Sequence, residues 1–177
     1  EARKMDLYEQ YALVAAMEAI KDCGWDLEKV DKNRIGVILG GGIGGIDTHE
    51  DEVSNYAKNG EAMGPKYNPF FIPKMIADIA AGQISIQYGF HGPNYTTTSA
   101  CASSTNALAD AFNLIRLGKA DAIVTGGSEA AIWPAGVGGF TAMHALSTRN
   151  DDPEHASRPF SASRDGFVMG EGAGVLI

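Results

Sequence analysis

The chain has 177 residues, of which 45% are hydrophobic and 20% charged, a composition that is ordinary for a soluble globular protein with one substantial core. Its 14 basic and 22 acidic side chains leave a formal net charge of -8 at pH 7, which argues against general nucleic-acid binding. Cys23 and Cys101 lie too far apart for a zinc motif or a disulfide framework, and without a signal peptide or an apolar run of roughly 20 residues the sequence predicts a cytoplasmic protein with no membrane span.

The first predicted element is an amphipathic helix over residues 5–23. Its apolar residues recur at helical spacing, at Leu7, Tyr11, Val14 and Met17. Gly24 follows where a helix C-cap is expected. We therefore expect this apolar stripe to pack against the core. The basic pair Arg3-Lys4 precedes the helix, and by its chemistry alone it serves solubility.

A short buried strand and a glycine-rich loop come next. The strand covers residues 34–40, the loop residues 40–45, and a helical segment follows over residues 47–58. This order and the pattern G-x-G-x-x-G are typical of a dinucleotide-binding domain. Such a domain continues with a second strand that ends in an acidic residue about 20 positions later, whereas residues 60–69 form a turn-rich segment. The dinucleotide-binding domain is therefore the weaker alternative.

A loop with three prolines then covers residues 65–73 and places Phe70 beside Phe71. Prolines fix the backbone, and adjacent aromatics in an irregular loop usually cap a core. The segment 75–88 predicts a mostly buried helix, because its small residues permit close packing. Gly89 is expected to end that helix.

The segment 95–104 predicts a strand that runs directly into a helix, with Cys101 at the junction. Its run of threonines favours an extended backbone, and the residues after it place one apolar helix face at Leu108, Phe112 and Ile115. The unpaired N–H groups and the positive dipole end at a helix start stabilise a thiolate, which is a nucleophile. A buried structural cysteine is the alternative.

The remaining elements complete an α/β pattern. Residues 118–128 predict a turn and a short apolar strand, so a strand–helix–strand unit with parallel pairing surrounds Cys101. A glycine-rich helix over 136–146, an ordered surface loop over 147–164 with structural ion pairs, and a strand over 166–177 follow. With no repeat or linker, residues 1–177 predict one domain. Because the chain opens on Glu1 and stops in an apolar strand, we expect a fragment of a longer protein.

The series of motifs resembles the β-ketoacyl-acyl carrier protein synthases of dissociated fatty acid synthesis, and it is most similar to their elongating type. The resemblance begins with TSACASS at residues 98–104. It continues in the same order through residues 130–132, 136–140, 145–147, 150–153, 156–160 and 164–174. It therefore covers nearly all of the chain, which is more specific than a single motif.

This resemblance implies a fold and an activity. The fold is the thiolase-like α/β/α/β/α sandwich, of which residues 1–177 form most of the first half. The protein is then a homodimer in which the strand leading to Cys101 pairs across the two-fold axis. The activity is a decarboxylative Claisen condensation of malonyl-acyl carrier protein with a cysteine-bound acyl chain, which gives 3-oxoacyl-acyl carrier protein. No cofactor and no metal are implied.

The resemblance also implies roles for single residues. Cys101 is the nucleophile, and Ile43 gates the acyl pocket, although by residue chemistry alone Ile43 is a core residue. Phe71 lines the acyl tunnel of the partner subunit. The contacts to the acidic carrier protein come from three basic side chains, Arg3, Lys4 and Lys66.

The histidines do not suggest a site within this chain. The four are His49, His91, His144 and His155. The resemblance places two catalytic histidines and a glycine-rich oxyanion loop in the second half of such enzymes. Two further readings stay open: a non-catalytic partner subunit such as a chain-length factor, against which the retained Cys101 speaks, and the related thiolase or polyketide ketosynthase branch.

Overall fold

A computed structural model describes residues 2–64 and 66–177. Glu1, and Pro65 at the start of the predicted proline-rich loop, therefore lie outside the described residues. Among the helices of the described ranges, none has the length and apolar character to cross a bilayer.

A four-stranded sheet forms the centre of the molecule, in the order β2-β1-β3-β4. The strands are β1 Ile35–Gly40, β2 Asn94–Thr97, β3 Ala122–Glu129 and β4 Gly172–Leu176. Strand β1 pairs in parallel with both β2 and β3, and β4 pairs antiparallel to β3. All six residues of β1 are buried, as expected for a parallel strand that is covered on both faces.

The helices are α1 Leu7–Asp22, α2 Ile46–Met63, α3 Phe71–Met75, α4 Ile79–Tyr88, α5 Ser103–Arg116 and α6 Pro134–Ala142. Helices α1 and α4 cover one face of the sheet, and α5 covers the other. Short 3-10 turns cover Ala2–Lys4, Lys32–Arg34 and Pro153–His155. Side chains alternate along β1, so Val37 and Leu39 pack with α1 and α4 whereas Ile38 packs with α5. The sheet therefore lies between two helical layers.

The predicted α/β order is confirmed, with shifts at the ends of elements. The helix expected over 75–88 begins only at Ile79, because the short helix α3 ends at Met75. The helix expected over 47–58 extends to Met63. Strands β2 and β3 run parallel as predicted for the unit around Cys101, although β1 lies between them. In the surface loop, Arg149 pairs with Asp152 at 2.6 Å.

The predicted core-facing stripe of α1 is wrong except at Tyr11, which is partly buried against the core. In α1 the side chains of Leu7, Val14 and Met17 are exposed. The core is met instead by Tyr8, Ala12, Ala16 and Ile20. In α5 the apolar residues Leu108, Phe112 and Ile115 face outward, while Ala107 and Ala111 are buried. Small side chains let a helix lie close to the sheet, so the alanine face and not the larger apolar stripe packs inward.

A buried carboxyl cluster lies where α1 begins. The Asp6 N–H donates to Glu9 Oε1 at 2.8 Å, and Thr48 Oγ1 donates to Asp6 Oδ2 at 2.6 Å. Only 1% of Glu9 is exposed. Burial, reinforced by the charge of Asp6, raises the pKa of Glu9 to about 7. Burial likewise raises the pKa of Asp47 to about 6.

The raised pKa of Glu9 predicts that the protein loses stability as the pH rises from 4.5, the ordinary value of the group, to about 7. In this window the folded state holds a proton that the unfolded state has released, so the free energy of unfolding falls with pH. Glu9 contributes as much as about 1.4 kcal/mol per pH unit. Urea unfolding of wild type and Glu9→Gln across the window measures this slope.

Glu9→Gln keeps the oxygen that accepts the Asp6 N–H, so a flatter pH dependence in this variant reports the lost titration. The matched control is Glu18→Gln, an exposed position on the same helix. Equal slopes in Glu9→Gln and wild type would contradict the prediction.

Candidate active site

Cys101 lies at the turn that joins β2 to α5. Strand β2 ends at Thr97, and Cys101 directly precedes Ala102, the N-cap residue of α5. Ala100 has a φ of 52°, a left-handed conformation that reverses the chain abruptly. The Cys101 thiol is exposed and unpaired. The predicted junction of strand, cysteine and helix is therefore present, and the buried structural cysteine is not.

Hydrogen bonds of Ser103 fix the conformation of this turn. Its buried Oγ accepts the Ser99 N–H at 2.9 Å and donates to the Ala100 carbonyl at 2.7 Å. Thr97 Oγ1 donates to the Ser103 carbonyl at 2.8 Å, which ties the end of β2 to the start of α5. These three bonds fix the backbone on both sides of Cys101.

The turn is also tied to the glycine-rich loop after β1. Thr98 Oγ1 donates to the Gly41 carbonyl at 2.9 Å. At Gly40 a Cβ would overlap the backbone of Ser103 and Ser104, so only glycine lets α5 start this close to β1. The Cys101 turn and the loop therefore form one packed unit at the carboxyl ends of β1 and β2.

The glycine-rich loop wraps a carboxylate of the chain itself. Glu129, the last residue of β3, accepts the N–H groups of Gly42 at 2.8 Å and Ile43 at 2.9 Å on Oε2, and of Gly44 at 3.0 Å on Oε1. Successive backbone N–H groups of this kind form an anion-binding nest. A dinucleotide phosphate would need the same N–H groups, so their use by Glu129 argues against the dinucleotide-binding alternative.

Cys101 opens on a cavity of about 600 Å³. Its larger wall residues are apolar, namely Ile43, Phe140, Phe167 and Met169. Glu129 also lines it, but both of its carboxylate oxygens are engaged by the loop. None of the histidines within residues 2–64 and 66–177 is among the lining residues. The cavity suits an apolar chain attached to the thiol.

Ile43 also lines a second cavity. The second cavity measures about 430 Å³ and is lined by Gly45, Ile46, His49, Met75, Ile76 and Ala77 in addition to Ile43. Ile43 is exposed, at 42%, so the core position expected from its residue chemistry alone is wrong. Its contact with both cavities fits the gating role, which stays a prediction.

The other predicted site residues lie away from Cys101. Phe71 opens α3 and stacks on Tyr67, with 5.3 Å between the ring centroids. It lines neither cavity, so its role at a partner subunit stays a prediction. The Nζ of Lys4 lies 5.8 Å from the ring centroid of Phe70. This contact places the turn that carries Arg3 beside the loop that carries the exposed Lys66.

Sequence reasoning missed Glu129 and Ser103. Glu129 is an acidic residue at the end of a buried strand, next in the fold to a glycine-rich loop whose N–H groups need an acceptor. This combination could have predicted the contact once β1 and β3 were predicted to pair in parallel. The carboxyl ends of parallel strands lie at the same edge of a sheet, so Glu129 and the loop after β1 would be expected to lie side by side. For Ser103 the signal is its position three residues after the turn residue Ala100.

Similar proteins match the chain over its whole length. A family model described as "Beta-ketoacyl synthase, N-terminal domain" matches residues 1–177. A 3-oxoacyl-[acyl-carrier-protein] synthase 2 of Staphylococcus aureus is 50% identical over all 177 residues, which span 43% of its length. The corresponding synthase of Synechocystis sp. is 46% identical, and the chain spans 42% of it.

Solved structures agree with these matches. A β-ketoacyl synthase from Burkholderia phymatum STM815 superposes with a TM-score of 0.86 at 32% identity, over 98% of this chain and 42% of that one. A type II polyketide ketosynthase in complex with its acyl-carrier protein superposes with a TM-score of 0.76 at 25% identity, over 99% of this chain and 47% of that one.

Ser103→Ala is predicted to destabilise the protein by about 1–3 kcal/mol, because it removes two hydrogen bonds of the Oγ atom, the one from the Ser99 N–H and the one to the Ala100 carbonyl. Chemical unfolding measures the loss. Ser104→Ala is the control, since that neighbouring side chain is exposed. Equal stability of the two variants would contradict the role assigned to Ser103.

Proposed function

Because the chain belongs to the β-ketoacyl synthase family, through the N-terminal domain whose model matches all 177 residues, we propose that it forms the N-terminal half of an elongating condensing enzyme. The family and the thiolase-like α/β fold expected from the sequence are confirmed. The chain spans less than half the length of the curated relatives it matches. The observation that carries the proposal is the exposed Cys101 thiol at the mouth of an apolar cavity.

The first proposed step is acyl transfer to Cys101. The thiolate attacks the carbonyl carbon of an acyl thioester, and the carrier thiol leaves as the acyl-cysteine forms. One thioester replaces another, so the step is nearly balanced in energy. The thiol lies exposed at the start of α5, and the apolar wall of the cavity takes the acyl chain.

The second proposed step forms the carbon–carbon bond. A malonyl thioester loses CO₂, the resulting enolate attacks the acyl carbon, and the Cys101 thiolate leaves with formation of the 3-oxoacyl thioester. Donors aimed at the enolate oxygen are worth about 3 to 4 kcal/mol of barrier each. Since the described residues that line the cavity include no histidine, we assign the decarboxylation site to the part of the enzyme beyond these residues. The electron pair comes from the lost carboxylate, so the proposed steps use no cofactor.

The proposed substrate site uses the two cavities in series. The acyl chain extends from Cys101 along the first cavity to Ile43, which gates the passage toward the second. Phe71 is proposed to line the acyl tunnel of a partner subunit, and its place outside both cavities of its own chain supports that assignment. The homodimer is proposed to form through β2, which lies at the edge of the four-stranded sheet.

The proposed partner is an acyl carrier protein, as in the related ketosynthase complex. We assign the contact to Arg3, Lys4 and Lys66, three exposed basic side chains on neighbouring segments. A local basic patch steers an acidic partner even on a protein whose net charge is -8. The unpaired cysteines suit the cytoplasm, which we propose as the compartment.

The two competing readings are less well supported. If the chain belonged to a non-catalytic partner subunit, the exposed cysteine at the mouth of the cavity would have no role. A polyketide ketosynthase is disfavoured because identity to the polyketide structure is 25%, against 50% to the staphylococcal synthase.

In the full-length protein, a thiol-directed alkylating inhibitor is expected to modify Cys101, and Cys101→Ser is expected to lower condensation about 10³-fold or more. Peptide mapping and product formation measure the two effects. Cys23→Ser is the control, because that exposed thiol lies at the end of α1. Modification of Cys23 alone would favour the non-catalytic partner subunit. The isolated 177-residue chain is expected to give no 3-oxoacyl product.

Charge reversal in the basic patch is expected to weaken carrier-protein binding. The double variant Arg3→Glu, Lys66→Glu should raise KM for an acyl carrier protein thioester about three- to tenfold with kcat unchanged. The effect should shrink at high salt. Steady-state kinetics with the full-length enzyme measures it.

The matched control is Lys119→Glu, an exposed lysine in the turn before β3, at the opposite end of the strands from Cys101. A small acyl thioester that lacks the carrier protein should react equally with all variants. If KM rises as much in Lys119→Glu as in the double variant, the assignment of the carrier-protein contact to the basic patch is wrong.

A further inference from the structure

We propose that Glu129 is a positioning residue that sets the acyl-chain length accepted at Cys101, because its carboxylate clamps the loop that carries Ile43. The proposal rests on the acyl-transfer function argued above and deepens it. Glu129 lines the Cys101 cavity and is half-buried at the end of β3.

The clamp acts on the middle of the loop. Three successive N–H groups, of Gly42, Ile43 and Gly44, all donate to the two oxygens of Glu129 at 2.8 to 3.0 Å. Hydrogen bonds from backbone N–H groups to an ionised carboxylate are about twice as strong as neutral ones. The contact joins positions up to 87 residues apart, so it fixes the loop relative to the sheet.

The two ends of the loop are held independently of Glu129. The Gly41 N–H donates to the Thr97 carbonyl at 3.1 Å, and the Gly45 N–H donates to the Met75 carbonyl at 3.1 Å. Loss of the carboxylate therefore releases the middle of the loop while both ends stay attached. The residue whose side chain moves with that middle segment is Ile43.

Ile43 forms part of the wall of both cavities. While the clamp holds, an acyl chain on Cys101 ends where Ile43 blocks the passage. When the clamp is released, Ile43 moves aside more readily and the volume of about 430 Å³ behind it becomes available. Long acyl chains gain from this added volume, whereas short chains end before they reach Ile43.

The test uses the full-length enzyme and compares acylation of Cys101 by octanoyl and hexadecanoyl thioesters. Glu129→Gln keeps the size of the side chain, but its amide nitrogen accepts no hydrogen bond. The ratio of kcat/KM for hexadecanoyl over octanoyl is expected to rise about fivefold or more, the order of one lost charge-assisted hydrogen bond. Alkylation of Cys101 by iodoacetamide should change less than about twofold, because the turn around the thiol is held by Ser103.

Glu50→Gln is the matched control. The Glu50 carboxylate also accepts a distant backbone N–H, that of Ala135 at 2.8 Å, and neither residue lines the Cys101 cavity. Its chain-length ratio is expected to match that of the wild type. A change of the ratio in Glu50→Gln equal to that in Glu129→Gln would overturn the proposal, since a general loosening of the fold would then explain both.

Gly42→Ala breaks the same clamp from the other side. A Cβ at Gly42 would lie 2.8 Å from Glu129 Oε2, so the carboxylate must withdraw from the loop. This variant is expected to shift the ratio in the same direction. The double variant should shift it by less than the product of the single effects, because both substitutions remove one contact.

The outcomes separate the two proposals. If the wild-type enzyme is not acylated at Cys101 by either thioester, the proposed function itself fails. If the wild type is acylated but Glu129→Gln and Gly42→Ala keep the wild-type ratio, only the clamp is wrong. A parallel fall of both acylation rates and of iodoacetamide alkylation, with a lower Tm, would show that Glu129 supports the fold alone, and this too would overturn the clamp.

Discussion

The position of Cys101 depends on how closely the start of α5 approaches the ends of β1 and β3. A Cβ at Gly40 would overlap the backbone of Ser104, and a Cβ at Gly127 would overlap its hydroxyl group. Strand β1 ends in Gly40, and Gly127 lies two residues before the end of β3, so both glycines lie beside the first turn of the helix. A side chain at Gly40 would push the start of the helix, and the thiol with it, away from β1, whereas one at Gly127 would displace the Ser104 hydroxyl group. The absence of a side chain at Gly40 therefore helps to determine where the nucleophile lies.

Close packing of helices on the sheet is also seen in the rest of the fold. Where α1 and α5 lie on the sheet, half of the buried residues are alanines, and several larger apolar side chains point outward. The carboxyl ends of β1 and β3 lie next to each other, which brings Glu129 within hydrogen-bonding distance of the loop after β1. The site is thus built from backbone N–H groups, one carboxylate and one thiol, with apolar walls around them.

Local patterns were enough to predict the order of the elements and the place of Cys101, because strand and helix preferences and glycine positions act over short distances. They failed for most of the inward face of α1, since periodicity locates an apolar stripe without showing which stripe meets the sheet. Glu129 was missed for a different reason: its partners lie 85 to 87 residues away in the chain. The apolar wall, with Phe140 and Met169 from the last third of the chain, required the tertiary arrangement.

The wall of the cavity also has a consequence for biosynthesis. The cavity is lined both by residues near the thiol, such as Gly40 and Ser104, and by residues from the last part of the chain, from Phe167 to Gly174 in β4. A ribosome delivers the chain from its N-terminus, so the three parallel strands and the thiol emerge before the segment that encloses them. Until β4 pairs with β3, the Cys101 thiol of the nascent protein is exposed to solvent. The cavity that would take an acyl chain then still lacks part of its wall.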